Sequence, residues 1–179
     1  FMSSQEGNLP DIPYAENTCC VIVHTGGTTG FPKGVMLSNE NLNAMVINAK
    51  ASEGSYGAGN VFLNIMPPFI AYGLVNGIHM ILSCGMENVL IPQFDPAVFD
   101  KLILKYHPTH ILGVPSHYAQ LFESKKLAGV NLSFLKIVGV GGDSLSAEME
   151  KHIADFLHRH KAYIPIATGY GMTEVCAAA

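Results

Sequence analysis

Charge is scarce in this chain. Only 13% of its 179 residues are Asp, Glu, Lys or Arg, against about a quarter in ordinary soluble domains. A surface so poor in charge predicts an apolar face turned toward a neighbour. Positive charge is the scarcer sign: 10 Lys and Arg stand against 14 Asp and Glu, giving a net charge of −4. With no basic patch to meet a phosphate backbone, nucleic acid is excluded as the main partner. No apolar run reaches the length of a membrane-spanning helix, and the N-terminal residues lack the pattern of a secretory signal. Cysteine is sparse as well. Cys19 and Cys20 sit side by side in an apolar run and read as small buried hydrophobes; with Cys84 and Cys176 they make no disulfide framework. A reducing cytoplasm is the expected compartment. The eight histidines show no metal-ligand spacing. His158 and His160 diverge on a helix, and His107 and His110 flank Pro108, so structural or surface roles are expected. Internal repeats and low-complexity segments are lacking too.

What is present is an alternation. Residues 1–17 are polar with Pro10 and Pro13 and read as a lead-in arm; residues 18–179 read as one α/β subdomain. Short apolar runs bounded by Gly or Pro predict buried strands at 19–24, 61–66, 89–92, 110–114 and 135–140. Between them lie helical patterns. Ser38 caps a helix carrying Leu42, Met45 and Val46. Asp95 and Pro96 open another, with Phe99, Leu102, Ile103 and Tyr106 on one face. Ser146 caps a third that presents Met149, Ile153, Phe156, Leu157 and His160, with Glu148 and Glu150 at the positive end of its dipole. Such alternation predicts a mainly parallel sheet flanked by helices. Ligands of these sheets sit beyond the carboxyl ends of the strands, where the loop after His24 is expected to lie.

That loop reads Thr25-Gly26-Gly27-Thr28-Thr29-Gly30-Phe31-Pro32-Lys33-Gly34. Glycines leave backbone N–H groups unobstructed and free to converge, threonine hydroxyls add donors, and Lys33 adds a mobile positive charge. The pattern is a polyphosphate cradle. It is not the Walker loop, because Pro32 precedes the lysine and Gly34 follows it, so the hydroxyl that would meet Mg²⁺ is missing.

The loop resembles the signature of the adenylate-forming (AMP-binding) superfamily, usually (Ser/Thr)-Ser-Gly-Thr-Thr-Gly-x-Pro-Lys-Gly; Gly26 stands where Ser is commoner. Gly169-Tyr170-Gly171-Met172-Thr173-Glu174 resembles the family's Gly-Tyr-Gly-x-Thr-Glu motif, and Gly141-Gly142-Asp143-Ser144-Leu145 its Gly-Gly-Ala-Pro-Leu turn. The resemblance implies an ATP site made of Thr25, Gly26, Gly27, Thr28, Thr29, Gly30 and Lys33 on the phosphates. Gly142, Asp143, Ser144, Gly169, Tyr170, Gly171 and Thr173 would surround adenine and the α-phosphate. By the same resemblance Tyr170 stacks on adenine, Asp143 accepts from its amino group, and Glu174 ligates Mg²⁺. The catalytic part is assigned to Lys33, Thr173 and Glu174.

Pro67-Pro68-Phe69-Ile70-Ala71-Tyr72-Gly73 resembles the Pro-x-Phe-His-x-x-Gly segment of acyl- and aryl-CoA synthetases, with Ile70 in place of the usual His. No Asp or Glu lies between Glu53 and Glu87, so a cationic substrate head finds no partner in that stretch. Phe69, Ile70, Tyr72, Gly73, His117 and Met172 are the expected acyl-pocket residues, His117 following the Val114-Pro115 turn. The implied chemistry joins a small carboxylic acid to ATP as acyl-adenylate and then to coenzyme A as thioester. The alternatives are an amino- or aryl-acid adenylation domain, or a short nucleotide-binding module without catalysis.

The resemblance covers the middle third of a family member. A ribose-binding Asp, a hinge and a C-terminal domain with its lysine are expected of the whole enzyme. The remaining subdomains are therefore the expected partners, and the 179 residues alone are expected not to form acyl-adenylate.

Overall fold

The computed structural model describes residues 13–26, 30–53 and 55–177. Two β units carry the fold. The first is a two-stranded antiparallel ribbon, β1 (Cys19–His24) and β2 (Gly34–Ser38), with Val23 opposite Val35 and His24 opposite Gly34. The second is a five-stranded parallel sheet. Its strands are β3 (Val61–Asn64), β4 (Glu87–Leu90), β5 (His110–Gly113), β6 (Ile137–Gly141) and β7 (Ile166–Gly169), in spatial order β4-β3-β5-β6-β7.

The ribbon corrects one expectation. The 19–24 run reads as a strand of the parallel sheet, but among the described residues β1 pairs with β2 alone. Its run is apolar because one face packs, not because both are enclosed. Val23 and Leu37 are buried with Leu42 and Val75, while Ile22 and Met36, cross-strand partners, are more than half exposed. The same alternation corrects the cysteine reading: Cys20 is exposed and Cys19 half-buried, whereas the buried thiols are Cys84 and Cys176.

Helix α1 (Asn39–Glu53) follows β2 directly. Ser38 and Asn41 cap it reciprocally, the Asn41 N–H donating to Ser38 Oγ at 3.4 Å and the Ser38 N–H to Asn41 Oδ1 at 3.0 Å. Between β3 and β4 runs a π-helix, Tyr72–His79, continued by the single turn α2 (Met80–Ser83). A wide-turn helix of eight residues is unusual, and such turns recur at functional sites. Asp95 opens the next crossover by accepting the Ala97 N–H at 2.9 Å, ahead of α3 (Phe99–Tyr106). Pro115 starts the short α4 (Pro115–Ala119), and Ser146 caps α5 (Ala147–Arg159) through the Met149 N–H at 3.1 Å.

Strand alternation sorts the core into two faces. Leu63, Ile111, Val138 and Val140 point toward Phe99, Ile103, Ile153, Phe156 and Leu157 of α3 and α5. Phe62 and Leu112 point the other way, toward Val46 of α1 and Met80 and Ile81 of the second crossover. Apart from the partly buried Leu112, each of these buried side chains contributes about 1.5–3 kcal/mol. Because β4 and β5 flank β3 on opposite sides, the chain reverses its winding at β3. In open α/β sheets such reversals leave a crevice at the carboxyl edge.

The N-terminal approach is tied to α1. The Tyr14 hydroxyl and the Asn17 N–H both donate to Glu40 Oε1. Hydrogen bonds from Ser38 and Tyr14 hold the Glu40 carboxyl down at about 2.

Candidate functional site

A cleft of about 620 Å³ opens at the carboxyl ends of β6 and β7 and runs under α1 and the π-helix. Its mouth is built of glycine. Gly141 lies so close to β7 that a side chain there would sit 2.9 Å from the Gly169 carbonyl. Gly142 has φ +77°, a left-handed conformation that turns the chain out of β6. Tyr118 steadies this strand from beneath, donating from its hydroxyl to the Gly139 carbonyl at 2.7 Å.

Three stretches of sequence meet here. Gly26 comes from the ribbon, Gly141 and Gly142 from the end of β6, and Gly169, Tyr170, Gly171, Met172 and Thr173 from the end of β7. Tyr170 is 70% exposed, so its ring is not part of the core and offers a face at the cleft. Thr173 is half-buried at the start of a 3₁₀ turn, Thr173–Val175, and Glu174 beside it is exposed, outside the cleft lining. Asp143 and Ser144 are exposed too, and Asp143 Oδ1 accepts the Ser144 N–H at 2.7 Å.

The ribbon loop is closed at its neck by Thr25 and Lys33. The Thr25 N–H donates to the Lys33 carbonyl at 2.9 Å, and the Lys33 N–H to Thr25 Oγ1 at 3.1 Å. The Lys33 side chain and Gly30 are exposed. Gly27, Thr28 and Thr29, expected on the phosphates, lie outside the described residues.

Of the expected acyl-pocket residues, Ile70, Tyr72 and Met172 line the cleft. Burial pushes the Tyr72 hydroxyl well above its usual range, so it stays a neutral donor. Phe69 points outward, 75% exposed. Gly73 is buried outside the lining, where a side chain would run into the Pro67 carbonyl. His117 also lies outside the lining, its ring 4.9 Å from that of Phe94, and burial lowers its pKa.

The inner part of the cleft went unrecognised in the sequence. It is lined by Met45 and Asn48 of α1, Tyr56, Asn76, Met80, Leu112 and Gly139. One signal was present: Asn76 is an amide inside the largely apolar Leu74–Ile78 stretch of the π-helix. Among the described residues the lining contains neither Asp nor Glu, and His24 is its only titratable nitrogen base. The arrangement therefore offers a glycine- and hydroxyl-rich mouth, an exposed aromatic face, and an uncharged interior.

A family model described as AMP-binding enzyme matches residues 2–179. The chain belongs to the AMP-binding enzymes. Among curated relatives, a long-chain-fatty-acid–CoA ligase of Bacillus subtilis is 33% identical over 97% of the chain and 30% of its own length. The 4-coumarate–CoA ligase-like 6 protein of Arabidopsis thaliana is 32% identical over 97% of the chain and 31% of its own length. The chain thus spans under a third of the relatives it matches. Among solved structures, ATP-bound MatB from Rhodopseudomonas palustris superposes with a TM-score of 0.77 at 25% identity, covering 91% of this chain and 31% of that one. McyG A-PCP complexed with phenylalanyl-adenylate has the same fold, with a TM-score of 0.83 at 22% identity over 98% of this chain and 29% of its own. Both α/β architecture and family agree with the motifs. Among the described residues no helix of this AMP-binding chain is long and apolar enough to cross a membrane.

Proposed function

We propose that this chain forms the ATP- and acid-holding part of an ATP-dependent carboxylic acid–CoA ligase. The observation that carries the reading is convergence: Gly26, Gly142 and the Gly169–Thr173 stretch, distant in sequence, line one cleft with an uncharged interior behind them.

In this reading the carboxylate oxygen attacks the α-phosphorus of ATP. The bond to the bridging oxygen breaks, its electron pair leaves with pyrophosphate, and an acyl-adenylate remains. The thiolate of coenzyme A then forms the thioester as AMP departs. Phosphoryl transfer asks the protein chiefly for positioning and charge stabilisation. Tyr170 offers its exposed ring to adenine, and Thr173 its hydroxyl to the α-phosphate. The Lys33 ammonium, exposed beyond the closed neck, offsets charge gathering on the leaving pyrophosphate. Tyr72 and Ile70 keep water from the reacting carboxylate.

Glu174 suits Mg²⁺. It is an exposed hard-oxygen ligand and forms no ion pair among the described residues, and Mg²⁺ takes one or two carboxylates beside substrate phosphates. When bound, the ion supplies charge neutralisation on the phosphates. An amine-bearing acid fits less well, because no carboxylate among the described residues lines the cleft to meet its ammonium.

Titration of the chain with Mg·ATP in a calorimeter tests the reading, with Glu174→Gln weakening the Mg²⁺ dependence and Tyr170→Ala weakening both ATP and AMP. A folded chain that binds neither ATP nor an acyl-adenylate mimic sinks it.

A further inference from the structure

The most buried polar side chain lining the cleft has an oxygen without a partner among the described residues. Asn76 is 8% exposed and lines the cleft, yet its Oδ1 is buried with no hydrogen-bond partner among the described residues. A buried, unsatisfied amide oxygen destabilises the fold, and few survive in native proteins without a role.

The chain around Asn76 holds it in place instead of relieving it. The Met80 N–H donates to the Val75 carbonyl, a five-residue reach that spans Asn76 and widens the turn there. The carbonyl of Gly77, the residue after Asn76, accepts two side-chain amides, Asn64 Nδ2 at 2.8 Å and Asn88 Nδ2 at 2.7 Å. Val75, on the other side, is fully buried. The residues before and after Asn76 are thus anchored away from the cleft while its own side chain lines it. The same inner lining holds Met45, Met80 and Leu112, whose side chains hydrogen-bond poorly or not at all, beside the polar Asn48 and Tyr56.

The geometry points to Asn76 as a specificity residue that accepts a hydrogen bond from the acid's own chain, selecting a hydroxylated acid over an unsubstituted one. The inference rests on the carboxylate-activating reading above. A hydroxyl is the fitting group because it can donate to Oδ1 and can equally accept from the amide nitrogen. Asn76 follows Tyr72 by one helical turn, roughly 5 Å. Tyr72 itself approaches Gly141 and Gly142 at the mouth. The recognised hydroxyl therefore sits several bonds in from the carboxylate, not beside it.

The test uses acyl-sulfamoyl adenosines, non-reactive mimics of acyl-adenylate, in a set that differs only in the position of one hydroxyl along the chain. Binding to the 179-residue chain is measured by calorimetry. One position is expected to bind about tenfold more tightly than the unsubstituted chain, and Asn76→Leu is expected to bring that ratio to one. The leucine variant is also expected to melt no lower than the parent, since it removes an unsatisfied polar group. A merely structural asparagine predicts the opposite: a lower melting point and an unchanged ratio. Equal affinity across the set in the unaltered chain overturns the inference without need of any variant, and so does a preference that persists in Asn76→Leu or Asn76→Ala. If every mimic binds equally, the activation reading stands and only the inference fails. If none binds to folded chain, the reading itself has failed.

Discussion

Thr25 and Lys33 hold each other twice, N–H to carbonyl at 2.9 Å and N–H to hydroxyl oxygen at 3.1 Å. The loop between β1 and β2 is therefore closed at its neck, and two capacities of the Thr25 hydroxyl separate. Its hydroxyl oxygen accepts from Lys33, which leaves the hydroxyl proton to donate toward a ligand. Thr25→Val removes both and is expected to cost about 1 kcal/mol in local stability, read as faster hydrogen exchange at the Lys33 amide. Thr25→Ser keeps both. Slow exchange in the valine variant would show that the neck does not depend on the hydroxyl.

Lys33 gives the complementary prediction. The neck uses only its backbone, so Lys33→Met leaves the hairpin closed and removes a charge. Pyrophosphate affinity is expected to fall several-fold and to become less sensitive to salt, because an exposed charge acts through a screened field. The melting temperature stays where it was. A variant that melts several degrees lower would place the side chain in the fold instead of on the ligand.

The motifs and the parallel strands were legible because each has a local signature. Apolar runs of four to six residues in β3, β5 and β6 are what a strand covered on both faces requires. The caps at Ser38, Asp95 and Ser146 are side-chain chemistry written into the sequence. Three things were hidden. β2 is a short continuation of the glycine loop, and its partner β1 is apolar for reasons that only the ribbon's single packed face reveals. β7 is an edge strand whose residues are half-buried or exposed, so Ile166–Gly169 lacks a core pattern. The π-helix has no 3.6-residue stripe to read, because its turn is wider. Missing that helix meant missing Asn76. Ile22 and Met36, cross-strand partners, stand exposed on the ribbon.

Gly73 is where the π-helix meets the end of β3. A β-carbon there would collide with the Pro67 carbonyl, which is backbone and cannot swing aside. Gly73→Ala is expected to destabilise the chain by about 1–3 kcal/mol, seen as a lower urea midpoint at unchanged slope. Because the helix carries both Tyr72 and Asn76, binding of an acyl-adenylate mimic should weaken more than binding of AMP. Equal losses would mean that the helix does not position the acyl end.

Acid sensitivity follows from His110, which is fully buried at the opposite end of β5 from the cleft. Its Nδ1 lies 2.7 Å from Thr109 Oγ1 and its Nε2 3.4 Å from Ser55 Oγ, while the Tyr56 ring packs at 5.1 Å. Thr109 also donates to the Val61 carbonyl at 3.0 Å, so its oxygen receives the Nδ1 proton and leaves Nε2 to accept from Ser55. The ring is held neutral. Burial, with the positive charge of Lys136 nearby, lowers its pKa from 6.5 to about 4. Between those values the unfolded chain binds a proton that the folded chain refuses. Stability is therefore full above about 6.5 and is lost as pH falls toward 4, with a limiting slope of ~1.4 kcal/mol per pH unit for one proton. His117, lowered by burial, acts in the same direction. His110→Gln keeps hydrogen-bonding capacity without the titration, so its stability should decline less steeply over this range in urea titrations at stepped pH. Identical slopes for parent and variant would remove His110 as the cause.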